Sequence, residues 1–211
     1  MNIKLFRPMC PTLLLAVALL LSGCLAPTNT ATLYSLQLVE QEPLNPPAHS
    51  LPGMVLVMPV RVAPHLQGRS ILFQQASGET RAAASHLWSA ALDQQISQKL
   101  TTQLQSLLAS TDVALFPGPH YGIVRFQVEI DIQEFSGDGR TFSSLATYTL
   151  SDTVAKTILA RKSFRQNRPI DNPGYSGYVE TASRAVADLS REVAATLAAV
   201  CPPSFQVMKM P

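Results

Sequence analysis

The 211-residue sequence lacks the short motifs that carry catalysis or metal binding. None of its histidines belongs to an H-x-H or H-E-x-x-H arrangement, and there is no G-x-S-x-G nucleophile elbow. Glu129 and Asp131 lie on a predicted strand whose alternation turns both carboxylates towards solvent, as ordinary surface charges. The sequence therefore predicts no enzyme, no cofactor and no metal site. The four histidines lie far apart in the chain, at His49, His65, His86 and His120.

Long apolar runs are scarce as well. The run Thr12–Leu21 is followed by Ser22 and Gly23, so it falls short of the about 20 residues that a membrane-spanning helix needs. Lys4 and Arg7 precede it, and a short apolar run behind basic residues is typical of an export signal. The sequence thus favours a signal peptide over a permanent transmembrane anchor.

The stretch LSGC, Leu21–Cys24, closes this apolar run. Ordinary signal cleavage fits poorly here, because a cut after Gly23 would leave the bulky Leu21 third before the bond. The stretch instead resembles the lipobox of bacterial lipoproteins, whose cysteine receives a diacylglycerol, becomes the first mature residue and is acylated on its new amino group. Cys24 is therefore the predicted lipidation site, with a plain signal peptide as the alternative.

Several acyl chains on Cys24 would make the attachment effectively permanent. Each buried methylene adds about 0.8 kcal/mol of membrane affinity, and a single chain binds only reversibly. Leu25 stands where an aspartate commonly retains Gram-negative lipoproteins at the inner membrane. The expected location is the outer membrane, on its periplasmic face.

The predicted mature chain has little charge and no disulfide framework. Removal of residues 1–23 leaves 188 residues, and only Lys4 and Arg7 leave with the signal, so 14 basic and 14 acidic residues remain. A nucleic-acid binder would be expected to keep a basic excess. Because Cys10 also leaves and Cys24 is capped, Cys201 has no intramolecular partner. We expect its thiol to be shielded against a helix end, with pairing between molecules as the alternative.

The first half of the mature chain predicts strands followed by a helix. Alternation over Thr32–Glu40 and β-branched residues over Met54–Val62 indicate strands, and prolines between them indicate a loop over Gln41–Gly53. A further short strand is predicted at Ser70–Phe73. The helix is predicted over Ser85–Leu108, with Ser85 as its N-cap. Its apolar stripe recurs every four residues, at Trp88, Leu92, Ile96, Leu100 and Leu104.

The opposite face of this helix is polar but almost uncharged. It is interpreted either as a solvated face or as a contact surface for another protein, since glutamines are less strongly hydrated than lysines and glutamates. The predicted face consists of Gln94, Gln95, Gln98, Thr101, Thr102 and Gln105. Within it, Gln94, Gln98 and Gln105 are the candidate partner-binding residues.

The second half predicts a hairpin, a third strand and a second helix. Val124 to Gln133 alternates apolar and polar residues, and Asp138 with Gly139 indicates a tight turn before a return strand through Leu150. A strand over Thr157–Phe164 and a helix over Tyr178–Val200 follow. A group of basic residues starts within this third strand and continues past its end. It consists of Arg161, Lys162, Arg165 and Arg168. Arg161 and Arg165 are predicted on one side of the strand, where they could meet lipid phosphates, an acidic partner or only solvent.

These elements predict an α+β fold. We expect a two-layer sandwich with a mostly antiparallel or mixed sheet of about six strands and two long helices packed on one face. The predicted organisation is a signal peptide at 1–23, a lipidated tether at 24–31, one domain at 32–203 and a C-terminal tail at 204–211.

The order of these segments resembles the PqiC-like (YmbA-like) auxiliary lipoproteins of ABC-type transport systems. The lipobox, LYSLQL, VLVMPVRVAPHLQGRSILFQ, SHLWSAALDQQISQKLTTQLQSLL, VRFQVEIDIQEFSGDG and ASRAVADLSREVAATL carry the resemblance, which spans nearly all of the mature chain. It implies an outer-membrane lipoprotein that works with inner-membrane components and an MCE-type periplasmic protein. It also implies a role in moving lipids and supporting envelope integrity. Assembly into a homo-oligomer stays open.

Two other classes of function also stay open. One is a structural envelope lipoprotein that only scaffolds, and the other is a periplasmic hydrolase with an unrecognised site. A gene neighbourhood encoding an ABC permease and an MCE protein would favour transport over both.

Overall fold

The computed structural model describes residues 30–42, 44, 51–75, 77–108, 111–119 and 122–200. Nine strands and two α-helices form within these ranges, and a short 3-10 turn covers Pro64–Leu66. The strands are β1 (Thr32–Tyr34), β2 (Met54–Val57), β3 (Arg61–Val62), β4 (Ser70–Gln74), β5 (Thr80–Trp88), β6 (Val113–Leu115), β7 (Val124–Gly137), β8 (Thr141–Asp152) and β9 (Thr157–Pro169). The helices are α1 (Leu92–Leu107) and α2 (Tyr175–Val200). The predicted α+β class is confirmed, with more strands than expected.

One curled, mixed sheet is organised around β7. β8 pairs antiparallel along the length of β7, and β9 pairs antiparallel with β8. The other side of β7 receives β2, β3 and β4 in turn, all parallel to it. β6 lies outside β2, and β5 and β1 lie outside β4. Within the described ranges, four strands therefore pair with another strand on one side only: β1, β3, β6 and β9.

The predicted hairpin is confirmed in position and in its turn. Gly139 has a φ of +91°, in the left-handed region that glycine adopts without strain. The Asp138 carboxylate accepts hydrogen bonds from the backbone N–H groups of Arg140 and Thr141, at 2.8 and 2.7 Å. These two bonds lower the pKa of Asp138. A register shift between Ile132 and Glu134 interrupts the alternation that the sequence predicts.

The two early strands are shorter than predicted. β1 ends at Tyr34, because the segment that follows pairs with helix side chains instead of a strand. The predicted strand Met54–Val62 is divided into β2 and β3, with Pro59 between them, and proline cannot donate to a strand ladder. Of the predicted loop at 41–53, residues 43 and 45–50 lie outside the described residues.

The predicted start of the first helix is wrong. Ser85 and Trp88 belong to β5, which pairs with β1 on one side and β4 on the other, and α1 begins only at Leu92. Ser85 is therefore not an N-cap. Trp88 lies four residues before Leu92 by coincidence and does not belong to the helical stripe. Its segment is a strand because β5 pairs with both β1 and β4. It is nevertheless 2% exposed, as its apolar spacing predicted.

The core lies between the helices and the inward side chains of the sheet. Ile96, Leu100 and Leu104 of α1 and Ala182, Val193 and Leu197 of α2 are buried in the same cluster as Trp88 and the inward residues of β7 and β8. α2 contacts β8 and β9, and also α1. It begins at Tyr175, three residues before the predicted start, and β9 runs past the predicted Phe164 to Pro169. That both helices lie on one face of the sheet stays a prediction.

Candidate functional site

Within the described ranges, no group of three or more histidine, cysteine or acidic side chains is arranged to hold a metal ion. The helices of the same ranges include none that combines the length and apolarity needed to cross a bilayer. The predicted lipidation site Cys24 lies outside the described residues, as do Cys201, His49 and His120.

The polar face of α1 is mixed in exposure. Gln94, Gln98, Thr102 and Gln105 are exposed, as predicted, whereas Gln95 and Thr101 are buried. The prediction that these two side chains are exposed is wrong, and both form hydrogen bonds inside the domain. Gln95 Oε1 accepts the backbone N–H of Leu36 at 2.8 Å, and Thr101 Oγ1 donates to the carbonyl of Ser97.

Gln98 and Gln105 line an open groove of about 450 Å³ between α1 and β6. Its far wall is formed by β6 and the segment that follows, including Pro117 and Pro119. Gln105 Nε2 donates to the carbonyl of Val113 at 2.9 Å. Because that carbonyl lies on the side of β6 turned away from β2, Gln105 partly closes this edge of the sheet. Gln94 is not among the groove residues.

Polar groups of α1 and α2 hold the chain that follows β1. The backbone N–H of Gln37 donates to Ser183 Oγ at 3.0 Å, and Gln103 Nε2 donates to the carbonyl of Val39 at 3.0 Å. Arg191 donates to the carbonyl of Glu42 at 2.7 Å. Residues 36–42 are therefore fixed along the helices, close to where the predicted tether joins the domain.

The two candidate arginines lie at a different edge of the sheet. Arg161 and Arg165 project from one face of β9 and are exposed, and Lys162 projects from the other face, where its Nζ is 3.2 Å from Thr196 Oγ1 of α2. This arrangement confirms the predicted alternation. Three strands, β2, β7 and β8, separate β6 from β9, so the arginines lie about 19 Å across the sheet from β6. The glutamines and arginines therefore do not form one site.

The face that bears the arginines also has an acidic stripe, on β7. Arg61 of β3 contacts Asp131 through two hydrogen bonds, at 2.5 and 2.9 Å, and approaches Glu129 at 3.5 Å. The hydrogen bond from Arg61 lowers the pKa of Asp131. Glu129 and Asp131 are thus surface charges, as predicted, but they are neutralised by an arginine that sequence reasoning did not connect to them.

Sequence reasoning missed an aromatic cluster where β1 meets β5 and α2. The His86 ring stacks on Tyr175 with centroids 3.6 Å apart, and His86 Nδ1 is 3.0 Å from the Tyr34 hydroxyl. Phe73 meets Tyr175 edge-on at 5.4 Å. These rings hold the edge strand β1 in place. Tyr34 and His86 are 52 residues apart in the sequence, so no local pattern could reveal the cluster.

Comparison with known proteins identifies relatives in sequence and fold. A sequence model of the family described as ABC-type transport auxiliary lipoprotein component matches residues 34–194. A crystal structure of an uncharacterized protein is 22% identical, with a TM-score of 0.65, and the match covers 80% of this chain and 99% of that one. A Xanthomonas campestris protein of the DUF330 family is 14% identical, with a TM-score of 0.70, over 83% of this chain and 100% of that one. At these identities the structures show a shared fold alone. A search of curated proteins gave no match.

Proposed function

Because the chain belongs to the family of ABC-type transport auxiliary lipoprotein components, we propose that it is a non-enzymatic component of an MCE-containing intermembrane lipid transport system. It would be anchored in the outer membrane, on the periplasmic face, and support envelope integrity. The family match over residues 34–194 carries this proposal, together with the lipobox that ends ten residues before it.

The proposed anchor is Cys24, with residues 1–23 as the signal peptide and 24–31 as the tether. A flexible linker of seven residues spans about 15 Å r.m.s., so the domain at 32–203 would stay close to the bilayer. Residues 204–211 would form the tail. The fixed course of residues 36–42 along the helices supports a short tether, because it leaves no long linker between anchor and domain.

Strand directions support a defined orientation of the domain. β1 is parallel to β5, β5 is antiparallel to β4, and β4 is parallel to β7, so β1 runs antiparallel to β7. The start of β1 therefore faces the same end of the sheet as the β7–β8 turn. Since the 14 residues of β7 span on the order of 45 Å, the β8–β9 turn lies at the end of the sheet opposite the start of β1. A partner approaching from the periplasm would meet that end first.

The proposed partner contacts are Gln94, Gln98 and Gln105 on α1 and Arg161 and Arg165 on β9. Exposed amide and guanidinium groups suit a polar, dissociable interface. The partners would be an MCE-type periplasmic protein and the inner-membrane transport components.

Native pull-down of the full-length tagged chain from membranes tests this proposal. We expect the MCE-type protein to be recovered with the parent and to be reduced with Gln94→Glu/Gln98→Glu, which adds two charges to the exposed face of α1. Gln105 is left unchanged in this variant because it also bonds to β6. Asp93→Asn with Lys99→Gln, on the same helix, serves as a control. Absence of any transport component from the parent pull-down would contradict the proposed function.

The anchor is tested separately by Cys24→Ala. Without the acceptor thiol, the precursor should remain uncleaved and take up no radioactive fatty acid, whereas the parent and Cys10→Ala should be labelled. Equal labelling of Cys24→Ala and parent would contradict lipidation at Cys24.

A further inference from the structure

The strand β9 has one edge without a partner. It pairs with β8 on one side, and no strand in the described ranges pairs with the other side. The backbone N–H of Ile170 donates to the carbonyl of Arg140 at 2.7 Å. This bond shows which alternate residues of β9 turn their backbone groups towards β8. Backbone groups in an antiparallel pair alternate in direction. Lys162, Phe164, Gln166 and Arg168 therefore turn their N–H and C=O groups towards β8.

The residues between them turn the same groups outwards. These open-edge residues are Arg161, Ser163, Arg165 and Asn167, and all four are exposed. Their four N–H and four C=O groups have no hydrogen-bond partner among the residues that the structure describes. Such a row of unpaired groups is a template for an added strand.

The edge strand β6, unlike β9, is short and partly covered by a helix side chain. β6 has three residues, and Gln105 occupies its outward carbonyl at Val113. β9 has 13 residues, well beyond the usual length of about 5 to 6, and only Pro169 at its end lacks an N–H group. No corresponding side chain in the described ranges bonds to the open edge of β9.

Charge determines what kind of strand could be added. β9 contains four cations and no acidic residue. Arg168 is paired with Asp188, and Lys162 is turned towards Thr196. Arg161 and Arg165, both open-edge residues, form no ion pair within the described part of the chain. The open edge is therefore positively charged, although the predicted mature chain has no net charge.

We propose that the open edge of β9 binds an extended, acidic segment of another protein by adding it as a further strand. This rests on the proposed function, since the segment would belong to a component of the transport system. Main-chain hydrogen bonds to the open-edge residues would provide affinity, and carboxylates facing Arg161 and Arg165 would provide specificity. A second copy of the chain fits poorly, because pairing β9 with itself would bring eight cations onto one ribbon.

Site-specific photocrosslinking in the native host tests this assignment. A benzoylphenylalanine at Asn167 of the full-length chain places the probe at the open edge and keeps all four cations. The same probe at Gln133, exposed on β7 in the middle of the sheet, is the matched control. We expect an adduct from position 167 and none from 133, and mass spectrometry should locate it in a segment with more acidic than basic residues.

Two substitutions at one open-edge residue separate backbone pairing from side-chain contact. Ser163→Pro removes an outward N–H, at a position of the same parity as the native Pro169, and should reduce the adduct about tenfold. Ser163→Ala keeps the N–H and should change the yield less than about twofold. Should Ser163→Pro fold poorly by circular dichroism, Arg165→Glu, which reverses a charge without altering the backbone, should reduce the adduct in its place.

Each other outcome overturns the proposal. An adduct with a second copy of the chain assigns the edge to self-association, and a basic or neutral segment removes the charge argument. Equal yields from Ser163→Pro and Ser163→Ala, or no adduct at position 167, exclude strand addition. If native pull-down still recovers the transport components in those cases, only the β9 assignment fails. Loss of these components from the parent itself would indicate failure of the proposed function.

Discussion

Along β8, successive side chains meet two different environments. Phe142, Tyr148 and Leu150 are at most 1% exposed, and they pack in the cluster that includes α1 and α2. Thr147 and Thr149, which lie between them, are half-exposed on the face that bears Arg61 and Arg161. We call these the core face and the outer face. Successive residues of β8 therefore belong to opposite faces of the sheet, and only the core-face residues are buried.

The two faces also differ in how their polar groups are satisfied. On the core face, the Tyr148 hydroxyl donates to Glu192 at 2.9 Å and lies 2.9 Å from Thr196 Oγ1, so this buried group is fully bonded. On the outer face, Arg161 has one hydrogen bond of 3.2 Å, to Thr149, and Arg165 has no ion pair within the described ranges. Stability is therefore expected to reside on the core face, and the outer face with its edge is left for recognition.

The largest effect is expected for Trp88→Ala, where β5 extends the core. Trp88 is 2% exposed and packs near Tyr178, with ring centroids 6.4 Å apart. Its truncation should lower the free energy of unfolding by about 3–5 kcal/mol. Denaturant midpoints measure this, with Ile158→Ala, 60% exposed, as a control that should change little. Equal midpoints for Trp88→Ala and parent would contradict the burial of Trp88.

The sequence could predict the core face because its signal is local. From Val124 to Ile132, alternation follows the pleat directly, and the turn at Asp138 and Gly139 needs only the positive φ that glycine provides. β5 was missed because Ala and Ser have weak strand preference, and only pairing with β1 and β4 makes it a strand. The burial of Gln95 depends on Leu36, 59 residues away, so its polar character predicted exposure.

For the candidate surfaces, the sequence could predict which residues are exposed but not the strand pairing around them. Spacing alone placed Gln98 and Gln105 on an exposed helix face and Arg161 and Arg165 on one side of a strand, as the structure finds. It could not predict that Gln105 bonds to an edge strand, because β6 has only three residues and its pairing with β2 is non-local. The open edge of β9 likewise depends on sheet order, which no residue pattern specifies.

A smaller loss is expected for Tyr148→Phe, on the core face. Removal of the hydroxyl leaves Glu192 and Thr196 with one partner fewer, which should cost about 1–3 kcal/mol in denaturant unfolding. Burial raises the pKa of Tyr148 to about 12. Because this exceeds the usual value of about 10, the contribution should be complete below pH 10 and lost as the pH rises towards 12. The difference in tyrosinate absorbance between parent and variant isolates this one phenol and should appear near pH 12. A difference that appears near pH 10 would contradict the raised pKa.

Asp152→Asn tests the end of β8, where a buried carboxylate caps the β8–β9 turn. Burial opposes ionisation, but hydrogen bonds from the N–H of Ala155 and Val154 and from Arg125 outweigh it and lower the pKa of Asp152. The stabilisation is therefore present above the ordinary pKa of about 4 and is lost as the pH falls through the lower folded-state pKa.

We expect Asp152→Asn to cost about 1–2 kcal/mol at neutral pH, with a smaller difference from parent in strong acid. Unfolding measured across pH checks this. Asp171→Asn, which breaks an exposed ion pair to Arg184 of 3.3 Å, is the control and should change stability by less than about 1 kcal/mol at any pH. A difference between Asp152→Asn and parent that stays constant with pH would show that the charge of Asp152 does not stabilise the turn.

The smallest effect on stability, and the sharpest separation of the two faces, is expected for Arg161→Gln with Arg165→Gln. Both side chains are exposed, and among the described residues the one side-chain hydrogen bond lost is the 3.2 Å contact of Arg161 with Thr149. The free energy of unfolding should therefore stay within about 0.5 kcal/mol of the parent. Recovery of the partner should nevertheless fall, because two cations at the open edge of β9 are removed while its backbone groups are unchanged.

Arg81→Gln with Arg140→Gln, which removes the same charge from β5 and from the β7–β8 turn, is the control and should retain the partner. If both double variants reduce recovery equally, net charge and not the position of the arginines governs binding. If the β9 variant instead unfolds at much lower denaturant, the outer face contributes to stability and the contrast between the two faces is wrong.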